Sequence, residues 1–216
     1  MAQYSKGQET KSKIILSARK LFYEKGYRET SSRDISENAG TNLGLLKYYF
    51  GGKGELAILI YDDIRQTFDR MTVEYEPSIQ GADLFLFSSA LELYLCHENH
   101  SFGRLYYELS SETSFHNKME TIIVNALMKY AQKKGDQQYA LLSCLSIMAI
   151  KPALVGQALR PDNQIPAETC VRYYLEQQLH VLGFPLSYSD VILQALKRYY
   201  INIGPVFTPI MTPLIS

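Results

Sequence analysis

Apolar residues recur at helical spacing along nearly the whole chain, and no stretch keeps a convincing period of two. A first helix is predicted over about residues 8–26, with Ile14, Ala18 and Phe22 on one face and Gly26 as its C-terminal stop. The pattern predicts an all-α fold of about nine to ten helices. After the first, the predicted helices cover residues 32–39, 43–49, 53–73, 83–96, 102–111, 116–134, 136–159, 167–182 and 189–203.

Prolines and charges divide the chain into two parts. All eight prolines lie after residue 76, and the sign of the charge changes near residue 60. The continuous helix from Lys53 to Val73 leaves no flexible linker between the parts. We therefore expect domains at residues 1–52 and 53–216. The tail after Gly204 holds three prolines, which favours an extended segment packed against other parts of the protein.

The charge distribution favours a basic N-terminal end. Residues 1–60 contain ten Lys or Arg and six Asp or Glu, a net charge of +4, and the rest of the chain carries the balancing −4. A basic end attracts phosphates, while an acidic remainder stays away from them. On its own this excess of four charges is a weak signal for nucleic acid.

The cysteines and the termini of the sequence indicate a cytoplasmic protein. Cys96, Cys144 and Cys170 are odd in number and lie in apolar helical stretches, which argues against a disulfide framework. The N-terminus is polar and does not resemble a signal peptide. The most apolar stretch, residues 139–159, contains Lys151 and Pro152, so we interpret it as a buried helix rather than a membrane span.

The segment Thr30–Phe50 predicts two short helices joined by a tight turn at residues 40–42. Each is too short to be stable alone, so both must pack on the first helix through Ile35, Leu46 and neighbouring apolar residues. Three helices in this order form a helix-turn-helix unit, whose last helix can enter the major groove of DNA. The same pattern also suits an ordinary helical corner inside a bundle.

Two features favour DNA binding over the helical corner. The third helix would expose Leu43, Lys47 and Tyr48 once its apolar positions face inward, which is unusual for a core helix. Arg33 and Lys53 flank it with positive charge, and helix N-termini can direct amides at phosphates.

The stretch Ile14–Leu56 resembles the N-terminal domain of the TetR family of transcriptional regulators. The resemblance implies a three-helix helix-turn-helix DNA-binding domain followed by a larger helical ligand-binding and dimerisation domain. It further implies a bacterial, cytoplasmic, nucleoid-associated homodimer that binds a double-stranded operator and an unknown small-molecule effector, without a cofactor and without a membrane. The matching residues are Leu21-Phe22, Gly26-Tyr27, Thr30, Asp34-Ile35, Ala39-Gly40, Gly44, Leu46, Tyr49-Phe50, Lys53 and Glu55-Leu56.

The resemblance also implies which residues contact DNA, with Lys53 anchoring a phosphate. On chemical grounds Arg33 and Lys47 are the candidates for strong base-edge donors. Family members usually carry small or polar groups where Leu43 and Leu45 stand, and an aromatic where Lys47 stands, so the operator sequence stays open. The implied DNA contacts are Ser32, Arg33, Asn42, Leu43, Gly44, Leu45, Lys47, Tyr48, Tyr49 and Lys53.

The second part shows no nucleophile elbow, no phosphate-binding glycine loop and no paired metal motif, which argues against an enzyme. The nearest approach to a metal site is Cys96-His97 with His100, which could bind zinc. No second cluster with suitable spacing follows, so a polar turn between helices is the better interpretation. We expect neither a metal nor a cofactor.

Seventeen tyrosines and no tryptophan, taken as a group, suggest an aromatic ligand cavity among the later helices, although core packing is the better explanation for any single tyrosine. The resemblance implies a pocket near residues 84–94, 102–109, 122–130 and 145–154. Arg104 and Glu108, one helical turn apart, also suit a solvated ion pair. The candidate ligand contacts are Tyr94, Arg104, Tyr107, Tyr130 and Met148.

The last two predicted helices each carry an apolar stripe, and two such helices from each subunit would form a four-helix bundle around a two-fold axis. The alternative is that both stripes face their own core. The apolar tail, residues 206–215, could lie across this interface. The candidate dimer contacts are Val171, Tyr174, Leu175, Leu182, Ile192, Leu196, Tyr199 and Ile203.

The sequence thus favours a repressor that leaves a palindromic operator when a small, largely apolar or aromatic ligand binds the second domain. The alternative is a DNA-binding activator or chromosome-associated factor controlled by a protein partner rather than a small molecule. An enzyme is a distant third hypothesis, because the chain offers no acid–base or nucleophile constellation.

Overall fold

The computed structural model describes residues 2–132 and 137–214, and the all-α fold predicted from the sequence is confirmed. The predicted helix ends at Lys134 and Asp136, and the tail residue Ile215, lie outside the described residues. The helices in chain order are α1 (Ala2–Lys25), α2 (Ser32–Asn38), α3 (Leu43–Phe50), α4 (Lys53–Tyr75), α5 (Gly81–Glu98), α6 (His100–Leu109), α7 (Thr113–Tyr130), α8 (Gln137–Ala158), α9 (Ala167–Leu182) and α10 (Tyr188–Asn202), followed by strands β1 (Val206–Phe207) and β2 (Pro213–Leu214).

Helices α1, α2 and α3, which we name the head, form a small unit around buried Phe22, Ile35 and Leu46. The hydroxyl of Ser17 on α1 donates to the carbonyl oxygen of Ile35 on α2 at 2.9 Å. This bond ties the first two helices together at the core, because a buried hydroxyl without a partner would be costly. The domain border at residue 52 stays a prediction.

Helices α5–α10, which we name the body, pack around α5. This helix contacts α4 and every other body helix, and it buries apolar residues on nearly all sides, including Phe87 and Leu91. A helix that is apolar all round belongs in the centre of a bundle rather than on its surface. Because α5 contacts all of the surrounding helices, its side chains can line a cavity between them.

The connecting helix α4 begins directly after α3 and runs for 23 residues into the body. Its buried residues Leu56, Ile60 and Phe68 lie at helical spacing, so one apolar stripe faces first the head and then the body. Its contacts extend from α1 and α3 to α5, α6 and α7. The predicted absence of a flexible linker therefore agrees with the geometry of α4.

The apolar stripes of α9 and α10 face the subunit's own core, which corrects their assignment as an exposed dimer surface. Seven of the eight predicted dimer residues are buried by helices of the same chain, since α9 packs on α5, α7, α8 and α10. Ile203 follows α10 and is half-buried. The corrected residues are Val171, Tyr174, Leu175, Leu182, Ile192, Leu196 and Tyr199.

The tail folds back onto its own subunit as a two-stranded antiparallel hairpin of β1 and β2. Phe207 stacks on Phe102 with ring centroids 5.3 Å apart and meets Phe68 edge-on at 5.7 Å. The hydroxyl oxygen of Thr212 accepts from the guanidinium of Arg19 on α1 at 3.1 Å. The described part of the tail therefore covers α4 and α6 rather than reaching out from the molecule.

Candidate DNA-binding face and ligand cavity

The turn between α2 and α3 is fixed by local hydrogen bonds. The Ser31 hydroxyl accepts from the Asp34 amide at 3.0 Å, and the Asp34 carboxylate accepts from the Ser31 amide at 2.7 Å, forming a capping box. Gly40 takes a φ of 62°, a region that favours glycine. Asn42 caps α3 by accepting from the Leu45 amide at 3.0 Å. These local bonds fix where α2 and α3 begin and how the chain turns between them, and packing of Leu46 then holds α3 in place.

The outer face of α3 is exposed and mixed in character. Leu46 is only 1% exposed and packs inward, whereas Leu43 is 47% and Tyr48 80% exposed. Lys47 and Gly44 are also exposed on this helix, and Leu45 is half-buried. An exposed apolar and aromatic patch beside a lysine has no role in the core of this subunit. We name Leu43, Gly44, Lys47 and Tyr48 the reading face.

The α2 residues implied as DNA contacts lie on its N-terminal turn. Arg33 is exposed and Ser32 half-buried, and Ser32 uses its carbonyl oxygen to accept from the Ser36 hydroxyl at 2.9 Å. The Arg33 guanidinium can therefore reach into solvent from the first turn of α2.

Tyr49 is held by α1, a contact that the sequence analysis missed. Its ring lies 5.2 Å from the ammonium of Lys11 and packs edge-on against Tyr48, with ring centroids 5.1 Å apart. The contact adds a cation beside the reading face. Lys11 is 38 positions before Tyr49 in the chain, so no local spacing could have revealed the pair.

Lys53 is half-buried and contacts the loop after α1, and its assignment as a phosphate anchor stays a prediction. Its ammonium donates to the carbonyl oxygen of Tyr27 at 3.0 Å and lies 4.1 Å from the centroid of the Tyr27 ring. Burial lowers the pKa of Lys53, and burial together with Glu112 raises the pKa of Tyr27 to about 12. Lys53 therefore fastens the start of α4 to the loop after α1.

Arg104 and Glu108 on α6 contact the head. Arg104 is therefore not a ligand contact as predicted, and the two side chains do not form the predicted solvated ion pair. The Arg104 guanidinium donates to the carbonyl oxygen of Tyr23 at 2.9 Å, and the Glu108 carboxylate accepts from the Arg28 amide at 2.9 Å. Gly26 has a φ of 92°, and a Cβ there would lie 3.0 Å from the Arg104 Nε. The end of α1 thus sits directly on α6.

A cavity of about 270 Å³ lies inside the body, between α4 and α9. Predicted Tyr130 and Met148 line it, and the pocket segments expected on α5, α6, α7 and α8 all contribute to its wall. Tyr94 and Tyr107 do not line it. The Tyr94 ring packs edge-on against Tyr200 at 4.8 Å, and Tyr107 is partly exposed against Gly156.

Two ion pairs line the cavity, and the sequence analysis found neither. Arg65 and Asp69, one turn apart on α4, pair at 3.2 Å. Glu92 on α5 pairs with Lys151 on α8, and both are almost fully buried. The spacing of Arg65 and Asp69 in the sequence is that of an ion pair on one helix, but the sequence did not show that α4 lines the cavity. The second joins positions 59 residues apart, which no local pattern reveals.

Helix α8 keeps an exposed apolar face on the side away from the cavity. Leu142 is 64% exposed, and Leu145, Ala149 and Ala153 continue the same stripe. Within the described residues, α8 is the helix whose length and composition would suit a membrane, with a mean hydropathy of 1.6 and 33% of that window buried. Lys151 faces the opposite, inner side, so the apolar exposure is one-sided. We name this stripe the α8 face.

Among residues 2–132 and 137–214, no group of three or more His, Cys, Asp or Glu side chains is arranged to hold a metal ion. Cys96 is buried, and its burial raises the pKa of the thiol. His97 is half-buried and His100 exposed on the turn between α5 and α6.

Comparison with known proteins identifies the head. Residues 14–60 match the family described as bacterial regulatory proteins, tetR family, which confirms the predicted resemblance. Over 64 residues the chain is 36% identical to the HTH-type transcriptional regulator TtgR of Pseudomonas putida, covering 30% of each chain. Over 47 residues it is 51% identical to the probable HTH-type transcriptional regulator YttP of Bacillus subtilis, covering 22% of this chain and 23% of that protein. The matches span less than a third of these relatives.

Solved structures extend the likeness to the body, at the level of fold. The complex of RolR with resorcinol aligns over 89% of this chain and 95% of its own, with a TM-score of 0.62 and 18% identity. SmeT, described as the repressor of the Stenotrophomonas maltophilia multidrug efflux pump SmeDEF, aligns over 80% of this chain and 91% of its own, with a TM-score of 0.52 and 14% identity. The helices beyond α4 therefore share their arrangement with these two structures, although the sequence identity is low.

Proposed function

Because residues 14–60 match the tetR family of bacterial regulatory proteins, we propose that this protein is a DNA-binding transcriptional regulator and not an enzyme. More specifically, it is a cytoplasmic, nucleoid-associated repressor that leaves a palindromic operator when a small, largely apolar or aromatic ligand enters the body cavity. The observation that carries this proposal is the exposed reading face on a helix that is capped by Asn42 and packed through Leu46.

The reading face and Arg33 supply contacts to both the bases and the backbone of DNA. Arg33 and Lys47 are exposed cations that can donate to guanine in the major groove. The exposed Tyr48 hydroxyl suits a phosphate oxygen, and the Leu43 side chain suits a thymine methyl group. Lys11, held beside Tyr49, adds a positive charge for the DNA backbone.

The regulator acts as a homodimer, with the α8 face as its contact surface. Leu142 and Leu145 supply apolar area, and Ala149 and Ala153 allow two helices to approach closely. A one-sided apolar stripe of this kind fits a second copy of the same helix related by a two-fold axis. Two reading faces held about 34 Å apart would then match successive major grooves on one side of the duplex.

Ligand release acts through α4, because this helix takes part in both sites. Its first turn fastens the head through Lys53, and further along the same helix Arg65 and Asp69 line the cavity. A ligand that shifts α4 would change the separation of the two reading faces. A coupling free energy of about 1–3 kcal/mol would lower operator affinity about 5- to 150-fold.

Fluorescence anisotropy on duplexes tiled across the DNA flanking the gene tests DNA recognition. Arg33→Ala and Lys47→Ala should each weaken specific binding by about tenfold or more, since each removes a base-edge donor. Lys129→Ala on the body is the matched control and should leave affinity unchanged. Equal affinity of both head variants and the wild type would contradict the assignment of these side chains.

Sedimentation velocity tests the dimer. The double variant Leu142→Glu with Leu145→Glu should sediment as a monomer, because it places charges within the α8 face. Leu16→Glu, which changes a similarly exposed leucine on α1, is the control and should remain dimeric. A dimer that survives both changes would place the contact elsewhere, and scattered DNA sites without any small-molecule effect would favour a factor controlled by a protein partner.

A further inference from the structure

The innermost wall of the cavity carries three buried polar side chains from three helices. Glu92 on α5 and Lys151 on α8 are each 4% exposed, and Gln178 on α9 is 1% exposed. The Lys151 ammonium binds the Glu92 Oε2 and lies 4.9 Å from the Tyr106 ring centroid. The charge of the lysine is therefore already matched by a carboxylate and an aromatic face.

Two acceptor atoms on this wall have no hydrogen-bond partner among the described residues. Glu92 uses only one carboxylate oxygen for Lys151, and its Oε1 is buried and unpartnered. Gln178 donates from its Nε2 to the Ser89 hydroxyl oxygen at 2.9 Å, which leaves its Oε1 buried and unpartnered. A buried acceptor without a donor is costly, so such atoms in a cavity wall indicate where a ligand binds.

The charges around the cavity are balanced, which disfavours an anionic ligand. Lys151 is paired with Glu92, and Arg65 is paired with Asp69, whose other oxygen accepts from the Ser88 hydroxyl at 2.6 Å. Arg65 retains a buried Nε without a partner, a single donor that suits the oxygen or the ring face of a neutral molecule. A carboxylate ligand would instead meet the unpartnered oxygens of Glu92 and Gln178.

The rest of the wall is mostly apolar, with Ser110 and His116 as further polar residues, and the cavity volume limits the size of the ligand. A cavity of about 150 Å³ holds one benzene ring, so about 270 Å³ admits a substituted ring or two fused rings. The apolar lining residues include Leu84, Phe85, Phe115, Met119, Ile122 and Ile123.

We propose that the effector is a neutral aromatic molecule of one or two rings whose inner end carries two hydrogen-bond donors, hydroxyl or amine, directed at Glu92 Oε1 and Gln178 Oε1. This inference rests on the proposed function, because it names the chemical class of the ligand that would release the operator. Lys151 positions the carboxylate of Glu92, and Ser89 positions the amide of Gln178, so both acceptors are held in place before the ligand arrives.

Isothermal titration calorimetry on the full chain, without DNA, tests the ligand class. The probes are the positional isomers of dihydroxynaphthalene, each with its dimethyl ether, and naphthoate. At least one diol should bind about tenfold or more tightly than its ether, which lacks the donors but keeps the rings. An ether or naphthoate that binds as tightly as every diol, or no binding by any probe, would overturn the proposal.

Two variants locate the binding to this wall. Gln178→Leu, and the double variant Glu92→Leu with Lys151→Met, should each reduce the preference for the diol over its ether by about tenfold. The double variant removes both charges together, so neither is left buried alone. Gln177→Leu, the same change one position earlier on α9, is the control and should keep the preference. Unchanged preference in both cavity variants would refute the assignment of these acceptors.

A final measurement separates the two proposals. The tightest diol is added to the complex of protein and operator, and DNA release is followed by anisotropy. Tight, donor-dependent binding without release would contradict the ligand-released repressor and leave the ligand class standing. Release by ethers and diols alike would support the repressor and contradict the donor requirement.

Discussion

The head and the body of this protein differ in how their polar groups are exposed and hydrogen-bonded. On α3 the cation and the phenol stand in solvent, and the nearby backbone amides are satisfied by the caps of Ser31 and Asn42. In the body, Glu92 and Lys151 are withdrawn from solvent, and acceptor oxygens beside them have no partner among the described residues. The polar groups of the head are therefore satisfied before it meets DNA, whereas under the proposed function those of the cavity are satisfied only when a ligand binds.

The difference predicts unequal costs for removing one member of an ion pair. Lys151→Met should lower the free energy of unfolding by about 3–5 kcal/mol, because it leaves the Glu92 carboxylate buried without its partner. Lys13→Met, which breaks the exposed pair between Lys13 and Glu9 on α1, should change stability by no measurable amount. Urea denaturation followed by circular dichroism, at one fixed protein concentration, provides the comparison. Equal stability of the two variants would contradict the expected difference between the buried ion pair of the body and the exposed pair on α1.

Within α3, two leucines separate folding from recognition. Leu46→Ala should destabilise the protein by about 2–5 kcal/mol, since it leaves a cavity beneath the helix. Leu43→Ala should change stability by less than about 0.5 kcal/mol but weaken operator binding, because this side chain lies on the reading face. Thermal denaturation and anisotropy on the same two proteins check both halves. A destabilised Leu43 variant would mean that its side chain supports the fold.

Substitution of two glycines tests how much the packing of the head against α6 contributes to stability. Both Gly26 and Gly40 have positive φ, but only Gly26 lies against other side chains, those of Arg104 and Glu108. Gly26→Ala should cost about 1–3 kcal/mol from backbone strain and displacement of Arg104. The added Cβ of Gly40→Ala has no neighbouring atoms, so this variant should lose about 1 kcal/mol of stability from backbone strain alone. Chemical denaturation gives the order, and a Gly40 variant less stable than the Gly26 variant would contradict it.

The smallest effect concerns pH. Burial lowers the pKa of His97 below its ordinary value of 6.5, and its Nε2 lacks a partner among the described residues. The unfolded chain then takes up the proton more readily, so the contribution of His97 is present above pH 6.5 and is lost as pH falls through the folded pKa. His97→Gln should flatten the loss of stability between about pH 7 and pH 5. The exposed His180→Gln is the control, and an unchanged slope for His97→Gln would reject the prediction.

The two regions also differ in how far the sequence predicts them. The caps, the turn at Gly40 and the inward position of Leu46 depend on residues a few positions apart, so their spacing revealed the head. Cavity residues come from α4 through α9, and the Glu92–Lys151 pair forms only after these helices pack. The stripes of α9 and α10 were assigned to a partner because periodicity shows that a face is apolar but not what covers it. On α8 the apolar residues extend around the helix, so no exposed side could be singled out.

The bond between Arg19 and Thr212 has a consequence for biosynthesis. It joins residues 193 positions apart, and the hairpin that supplies Thr212 lies across α4 and α6. During translation the N-terminal helices emerge and fold first. The head is therefore made early but receives its hydrogen bond from Thr212 only after all the body helices have been synthesised. Proteolytic loss of the hairpin from a folded molecule would remove this one bond and leave the head held by its contacts with α4 and α6.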